Sequence, residues 1–381
     1  MTWKKERTRL KIAFEARPVK WSYGTGIGNY TYCLIEKLNE IDLANEYSFL
    51  WPDNNPYPYI PFHREYSYYA LPKDDLREEN ELPRWLESEQ ADLFHLPQNG
   101  FRIPPKKYGK VIVTIHDLIP YILPEVVRPS FLKRFIKEMP EIIERSDHII
   151  AVSEASKLDI IRLFGVSPEL ITVIPSAPAA GYRRLPPKQV KEGLEKRYGL
   201  KRPYILYVGG LNPRKNVAEL VYAYSKIHRE LPGGQLLIIP GPSGRHLEQL
   251  QLLADSLNLR NYVIFPGFVA SEDLPLWYNG ADLFVYPSLY EGFGLPPIEA
   301  MACGVPVITS NTSSLPEVVG DAALVVNPHD TLELAENIRK VLNDAELSER
   351  LREKGLEHCQ KYTWERNAAR ILELYRKVVE G

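Results

Sequence analysis

Short apolar runs of strand length alternate with longer stretches of helical periodicity along this chain, and that alternation leaves few architectures open. A strand that hands over to a helix and then to another strand builds βα units, which stack around parallel sheets. Residues 10–15 read as a first strand and 28–43 as its helix, with later strands at 111–115 and 148–152. A second series opens at 204–208 and continues through 235–239, 262–265, 283–286 and 305–308. At 381 residues the chain exceeds one ordinary core. Two sheets of one type therefore predict an α/β protein with two Rossmann-like domains. Between the series, Ile174-Pro175-Ser176-Ala177-Pro178-Ala179-Ala180-Gly181, followed by Pro186 and Pro187, has linker composition. This sets domains at 1–180 and 181–362, and a break at Tyr362-Thr363-Trp364 sets off a last helix within 363–381.

Charge excludes one class of partner. The formal net charge is −2, with 23 basic against 25 acidic residues up to position 180 and 24 against 24 beyond it. Neither half has the basic excess of a nucleic-acid binder. Cys33, Cys303 and Cys359 are few, odd in number and without C-x-x-C spacing, which predicts buried thiols in a reducing compartment and no structural zinc. No apolar run approaches ~20 residues and the start lacks an apolar signal core, so the expected location is the cytoplasm.

The chemistry concentrates in the second series. Glu291 and Glu299 bracket Gly292-Phe293-Gly294-Leu295-Pro296-Pro297, between a strand and a helix. Gly292 and Gly294 let backbone approach a ligand, and prolines suit a first helical turn. Such a helix start attracts an anion. A carboxylate aimed at the same anion would repel it, so each glutamate is better placed to accept hydrogen bonds from hydroxyls beside it. A diphosphate flanked by hydroxyls is a nucleotide sugar. Upstream, Gly209-Gly210-Leu211-Asn212-Pro213-Arg214-Lys215-Asn216 follows the first strand of the series directly. Two adjacent cations at the carboxyl edge of a parallel sheet suit a diphosphate, each charge-assisted contact being worth roughly 1.5–3 kcal/mol.

In the first series, Tyr23-Gly24-Thr25-Gly26-Ile27-Gly28-Asn29-Tyr30 superficially fits a dinucleotide fingerprint. Asn29 stands where a third glycine belongs, and the first glycine comes too long after the strand end. His116-Asp117 closes the strand at 111–115, where an imidazole suits hydrogen bonding near a reacting centre. Asn99 and Ser153 follow other strands. Asp117 reads as a turn-orienting residue, and no Asp-x-Asp motif occurs, which favours a site without metal.

These motifs together resemble retaining glycosyltransferases of the GT-B fold, in the large family 4 typified by sucrose synthase and bacterial mannosyltransferases. The Glu-x7-Glu element carries the resemblance, and the match spans nearly the whole chain. Where many members place an arginine right after the strand glycine this chain has Gly210, so the charge must come from Arg214. The resemblance implies two domains facing a cleft, with the terminal helix crossing back to the first. It implies that Glu291 holds hydroxyls of the donor sugar, Glu299 the ribose, and Arg214 and Lys215 the diphosphate. His116 would contact the transferred sugar, and Gly26, Ile27 and Gly28 would approach the donor phosphates. Gly292, Phe293, Gly294 and Leu295 would line the donor, Phe268 and Val269 would meet its base through backbone, and Asn99 and Ser153 would line the acceptor side. The expected reaction moves a hexose, with GDP-mannose as best donor, to a glycan or lipid-linked acceptor, with no cofactor and no metal. A nucleotide-sugar epimerase, a phosphorylase of this architecture and a catalytically silent nucleotide-sugar-binding partner are the rival readings.

Two features stand apart from these motifs. Tyr47, Phe49, Trp51, Tyr57, Tyr59, Phe62, Tyr66, Tyr68 and Tyr69 crowd a stretch with four prolines that reads as a long loop packed on its own domain, with an acceptor-touching role as the alternative. Residues 131–137 are basic and amphipathic, which predicts a solvated helix face and, as the alternative, peripheral membrane contact.

Overall fold

A computed structural model describes residues 9–22, 24–54, 66–71 and 75–381, with side chains omitted at 75–79. The chain divides into two compact units. Unit 1 comprises residues up to 122, 127–177 and 362–381; unit 2 comprises 123–126 and 178–361.

Unit 1 holds seven parallel strands: β1 (Lys11–Glu15), β2 (Glu46–Trp51), β3 (Ser67–Ala70), β4 (Leu93–Leu96), β5 (Lys110–Ile115), β6 (His148–Ala151) and β7 (Ile171–Val173), in the order β3-β2-β1-β4-β5-β6-β7. Unit 2 holds six: β8 (Tyr204–Leu206), β9 (Leu236–Ile238), β10 (Val263–Ile264), β11 (Leu283–Tyr286), β12 (Val307–Ser310) and β13 (Leu324–Val326), in the order β10-β9-β8-β11-β12-β13. Both orders are Rossmann-like, reversing beside the first strand of each sheet, where a crevice opens at the carboxyl ends. Central strands such as β4, β6 and β11 are buried along their whole length, as a sheet covered on both faces requires.

The aromatic stretch does not form one long loop. Glu46–Trp51 and Ser67–Ala70 are strands of the first sheet, β3 at its edge and β2 between β3 and β1, because aromatic side chains fit a pleated surface. Tyr47 stacks on Phe49 at 5.8 Å between ring centroids, and Phe49 meets Tyr66 edge-on. Tyr57, Tyr59 and Phe62 lie outside the described residues.

Thr25 begins the helix Gly26–Ile41, its Oγ1 accepting from the Gly28 amide. That helix carries the last helix of the chain, Trp364–Glu380, which belongs to unit 1. Thr363 caps it, and Trp364, Ala368, Ile371, Tyr375 and Val378 form its buried stripe. Tyr375 reaches through to His95 on β4, its hydroxyl 2.6 Å from Nδ1, while Thr114 holds Nε2 at 2.9 Å. Among the described residues Cys33 and Cys303 are buried, Cys359 is partly so, and none forms a disulfide. Among them, too, no helix is long and apolar enough to cross a membrane.

Candidate active site

In unit 2 the reversal point lies between β8 and β11, and the turns leaving these two strands bring the charged residues together. After β8 the chain passes Gly209 and Gly210 into a short 3-10 turn, Pro213–Lys215, which ends on Asn216 in the left-handed region. After β11 it runs through Ser288 and Tyr290 to Glu291. Glu291 Oε1 lies 2.6 Å from Lys215 Nζ and 2.8 Å from Arg214 Nη1. Ser288 Oγ donates to the same oxygen at 2.5 Å and the Tyr286 hydroxyl at 3.0 Å. All four donors converge on Oε1.

Burial alone would raise the Glu291 carboxyl, but Lys215 and Arg214 outweigh it and hold the group down at about 2. The group is therefore an obligate hydrogen-bond acceptor at neutral pH. Its pairing also changes the expectation for the cations. Lys215 and Arg214 share a carboxylate, which offsets part of their charge.

Loop 290–294 is laced to the turn after β12. Ser313 Oγ accepts from the Glu291 amide at 2.9 Å, Ser314 Oγ donates to the Phe293 carbonyl at 2.6 Å, and Phe293 is buried. Gly294 follows at φ +109°, and a Cβ there would come within 2.7 Å of Leu315 Cδ2, so glycine is required. The helix Leu295–Ala302 then starts with prolines in its first turn. Prolines carry no N–H, so the uncommitted amides of this helix start reduce to those of Gly294 and Leu295. Glu299, on the same helix, is partly buried and accepts from the Tyr278 hydroxyl at 3.0 Å. Burial lifts its carboxyl to about 7 against the lowering effect of Tyr278 and Tyr182. The two glutamates thus stand at opposite ends of the carboxyl range.

Beyond β10, Gly267 adopts φ +82°, Phe268 is 78% exposed and Val269 is buried. The Phe268 ring is thus presented to solvent while its neighbour anchors the loop.

In unit 1 the reversal point lies between β1 and β4. Gly24 and Gly26 sit in open space, where an added Cβ would meet nothing within 4 Å. Gly26 has an ordinary φ, so the fold itself does not demand glycine there. Gly28 is buried under the Thr25 cap and Ile27 is half-buried. His116 is clamped: its Nε2 donates to the Pro97 carbonyl at 2.7 Å, and Tyr30 packs edge-on at 4.8 Å. Burial pushes the imidazole down to about 4 despite the Pro97 bond, so the ring is neutral with Nδ1 as its acceptor.

Asn99 and Ser153 have structural tasks. Asn99, buried at φ +56°, accepts from the His116 amide at 2.7 Å and so holds that turn. Ser153 caps the helix Glu154–Phe164 by accepting from the Ser156 amide at 2.9 Å. Asp117 Oδ1 accepts from the Ile119 amide at 3.1 Å, the turn-orienting role its position implied. Among the described residues no group of three His, Cys, Asp or Glu is arranged to hold a metal ion.

The sequence reading did not single out Tyr286, Ser288, Tyr278, Ser313 or Ser314. The one signal available was hydroxyls at 286 and 288, spaced to point the same way as a strand ends.

Two Rossmann-like sheets, with paired cations meeting an ionised glutamate at the second reversal point, define a GT-B glycosyltransferase. Family models agree: residues 25–177 match Glycosyltransferase Family 4 and residues 191–358 match Glycosyl transferases group 1. The O-antigen chain mannosyltransferase B of Escherichia coli is 31% identical over 382 residues, covering 96% of this chain and 100% of that protein. The serotype-specific mannosyltransferase WbdA of the same organism is 32% identical over 277 residues, 71% of this chain but only 34% of WbdA. The chain belongs to glycosyltransferase family 4, and it is a glycosyltransferase. Among solved structures it shares its fold with sucrose-phosphate synthase from Thermosynechococcus elongatus, at TM-score 0.76 and 23% identity over 97% of this chain and 99% of that one. Anabaena HepE, solved with UDP and glucose, gives 0.73 and 19% over 96% and 99%.

Proposed function

We propose that this enzyme moves mannose from GDP-mannose to a hydroxyl of a growing surface glycan, with retention at the anomeric carbon and without metal or cofactor. The observation that carries the reading is the convergence of Arg214, Lys215 and Glu291, which joins two cations to an acceptor-only carboxylate. Lys215 and Arg214 offset charge growing on the leaving diphosphate, the kind of preorganised electrostatics that dominates many enzymes. Glu291 Oε2 accepts from hydroxyls of the sugar and Glu299 from those of the ribose. Gly292, Phe293, Gly294 and Leu295 follow the donor with backbone, and Phe268 and Val269 face its base. Gly26, Ile27 and Gly28 admit the phosphates; neutral His116 receives a hydroxyl of the transferred sugar on Nδ1. The bond from the anomeric carbon to the diphosphate breaks as the bond to the acceptor oxygen forms on the same face. The acceptor proton passes to the departing phosphate oxygen, so no protein nucleophile is needed.

Mannose is favoured because relatives 31% identical over 96% of this chain and 32% identical over 71% of it are named mannosyltransferases. The acceptor glycan would be met at the inner face of the cytoplasmic membrane. Phe131 and Ile136, exposed on the helix Pro129–Arg145 beside Lys133, Arg134 and Lys137, support contact with an acidic lipid surface there. A thermal-shift panel of nucleotide sugars tests the donor, since a ligand that binds only the folded state raises its melting temperature. GDP-mannose should give the largest rise, and Lys215→Ala should lower turnover by about a hundredfold or more with the fold intact. A larger rise with another donor, or undiminished turnover in Lys215→Ala, overturns the corresponding part of the reading.

A further inference from the structure

The Tyr286 ring ends β11 inside an aromatic layer, stacked on Tyr207 at 5.8 Å and on Phe284 at 6.0 Å. Phenylalanine would fill that layer equally well. A buried hydroxyl left unpaired costs roughly 1–3 kcal/mol, so its presence needs a partner. The partners of this one are the two charged groups of the site. Lys215 Nζ stands 2.6 Å from the Tyr286 oxygen, and that hydroxyl stands 3.0 Å from Glu291 Oε1. Lysine can only donate and an ionised carboxylate can only accept. The direction is therefore fixed: Lys215 donates to the phenol oxygen, and the phenol proton points at Glu291. The ammonium also lies over the same ring, 5.1 Å from its centroid. Tyr207, one strand away, spends its hydroxyl differently, on the Gly210 carbonyl at 2.6 Å.

Resting on the donor site proposed above, we infer that Tyr286 is a positioning residue for transfer: its hydroxyl, wedged between Lys215 and Glu291, fixes where the ammonium meets the diphosphate and how the carboxylate presents Oε2. Without the hydroxyl, Lys215 and Glu291 still touch, but each loses a restraint on its rotation. A small misplacement of such groups lowers the rate more than it loosens ground-state binding.

The test is a double-mutant cycle with Lys215→Ala, read calorimetrically on GDP and UDP affinity, together with kcat and donor KM for Tyr286→Phe. Tyr286→Phe should lower kcat about tenfold with donor KM within about threefold. It should weaken the better-bound diphosphate about fivefold in the wild-type background and less than about twofold beside Lys215→Ala. Equal losses in both backgrounds, no loss in either, or a loss matched by a fall in melting temperature overturns the positioning role. Wild-type protein that binds neither GDP nor UDP overturns the donor class itself, a result distinct from all of these.

Discussion

Glu299 shows how much one side chain's surroundings decide. It carries the same carboxyl as Glu291, eight positions away, yet its surroundings differ: where Lys215 and Arg214 flank Glu291, the hydroxyls of Tyr278 and Tyr182 donate to Glu299. Its folded-state value of about 7 stands above the ordinary 4.5, so between those values the native state holds a proton that the unfolded state has lost. Stability therefore falls as pH rises through that window, by an amount on the order of 3 kcal/mol. The Glu299→Gln variant should lack this slope in urea unfolding between pH 4.5 and 7. Ligand binding should run the other way. The ionised form accepts from two ribose hydroxyls through the stronger, charge-assisted bonds, so GDP should bind about tenfold tighter at pH 8 than at pH 6. Running Glu299→Gln alongside subtracts the titration of the nucleotide's own phosphate. An identical pH dependence in the two proteins would show that Glu299 does not read the ribose.

At the scale of elements, the glycine loop before the helix Gly26–Ile41 separates two reasons for a glycine. Gly294 needs its conformation and its lack of a Cβ; Gly26 needs neither, having an ordinary φ and open space where a Cβ would stand. A Gly26→Ala protein should melt at or slightly above the wild-type temperature, since the substitution restricts the unfolded chain by about 0.4–1 kcal/mol. If donor phosphates approach this backbone, kcat/KM should nevertheless fall about tenfold or more, and unchanged kcat/KM would assign the glycine no role in ligand approach. This contrast marks how far the sequence was legible. The glycines, the adjacent cations and the two glutamates announced themselves because their residue types have few other uses in a turn. Ser288 and Tyr286 did not, because hydroxyls at the end of an apolar run read as packing until a neighbouring strand brings Lys215 beside them. Strands β2 and β3 were hidden for a related reason. Four prolines and a crowd of aromatics read locally as a loop, whereas pairing of β2 with β1 and of β3 with β2 decides the outcome. The first helix, expected at 28–43, stands at Gly26–Ile41 because the Thr25 cap begins it two residues earlier, while the last begins at Trp364, within the expected 363–381.

For the whole molecule, the order of the chain matters as much as its folds. Unit 2 draws almost all its residues from one continuous stretch, 178–361, whereas unit 1 is completed only by the last twenty residues. The closing helix buries Trp364, Ala368, Ile371, Leu374, Tyr375 and Val378. Six such side chains contribute on the order of 10 kcal/mol, which is comparable with the whole stability of a domain. Its removal would also expose Tyr30, which packs edge-on against Trp364, and would strip the Tyr375 hydroxyl from buried His95. Two asymmetric consequences follow for a chain ending at Tyr362. Unit 1 should lose its cooperative structure, with rapid amide hydrogen exchange at β1, β4 and β5. Unit 2 keeps its sheet, its core and the Lys215–Glu291 cluster, so β8 and β11 should stay protected and GDP should still raise the temperature of the remaining transition. Protection retained equally in both units would mean that the terminal helix is a passenger on unit 1. Protection lost equally in both would mean that the second unit does not fold without the first.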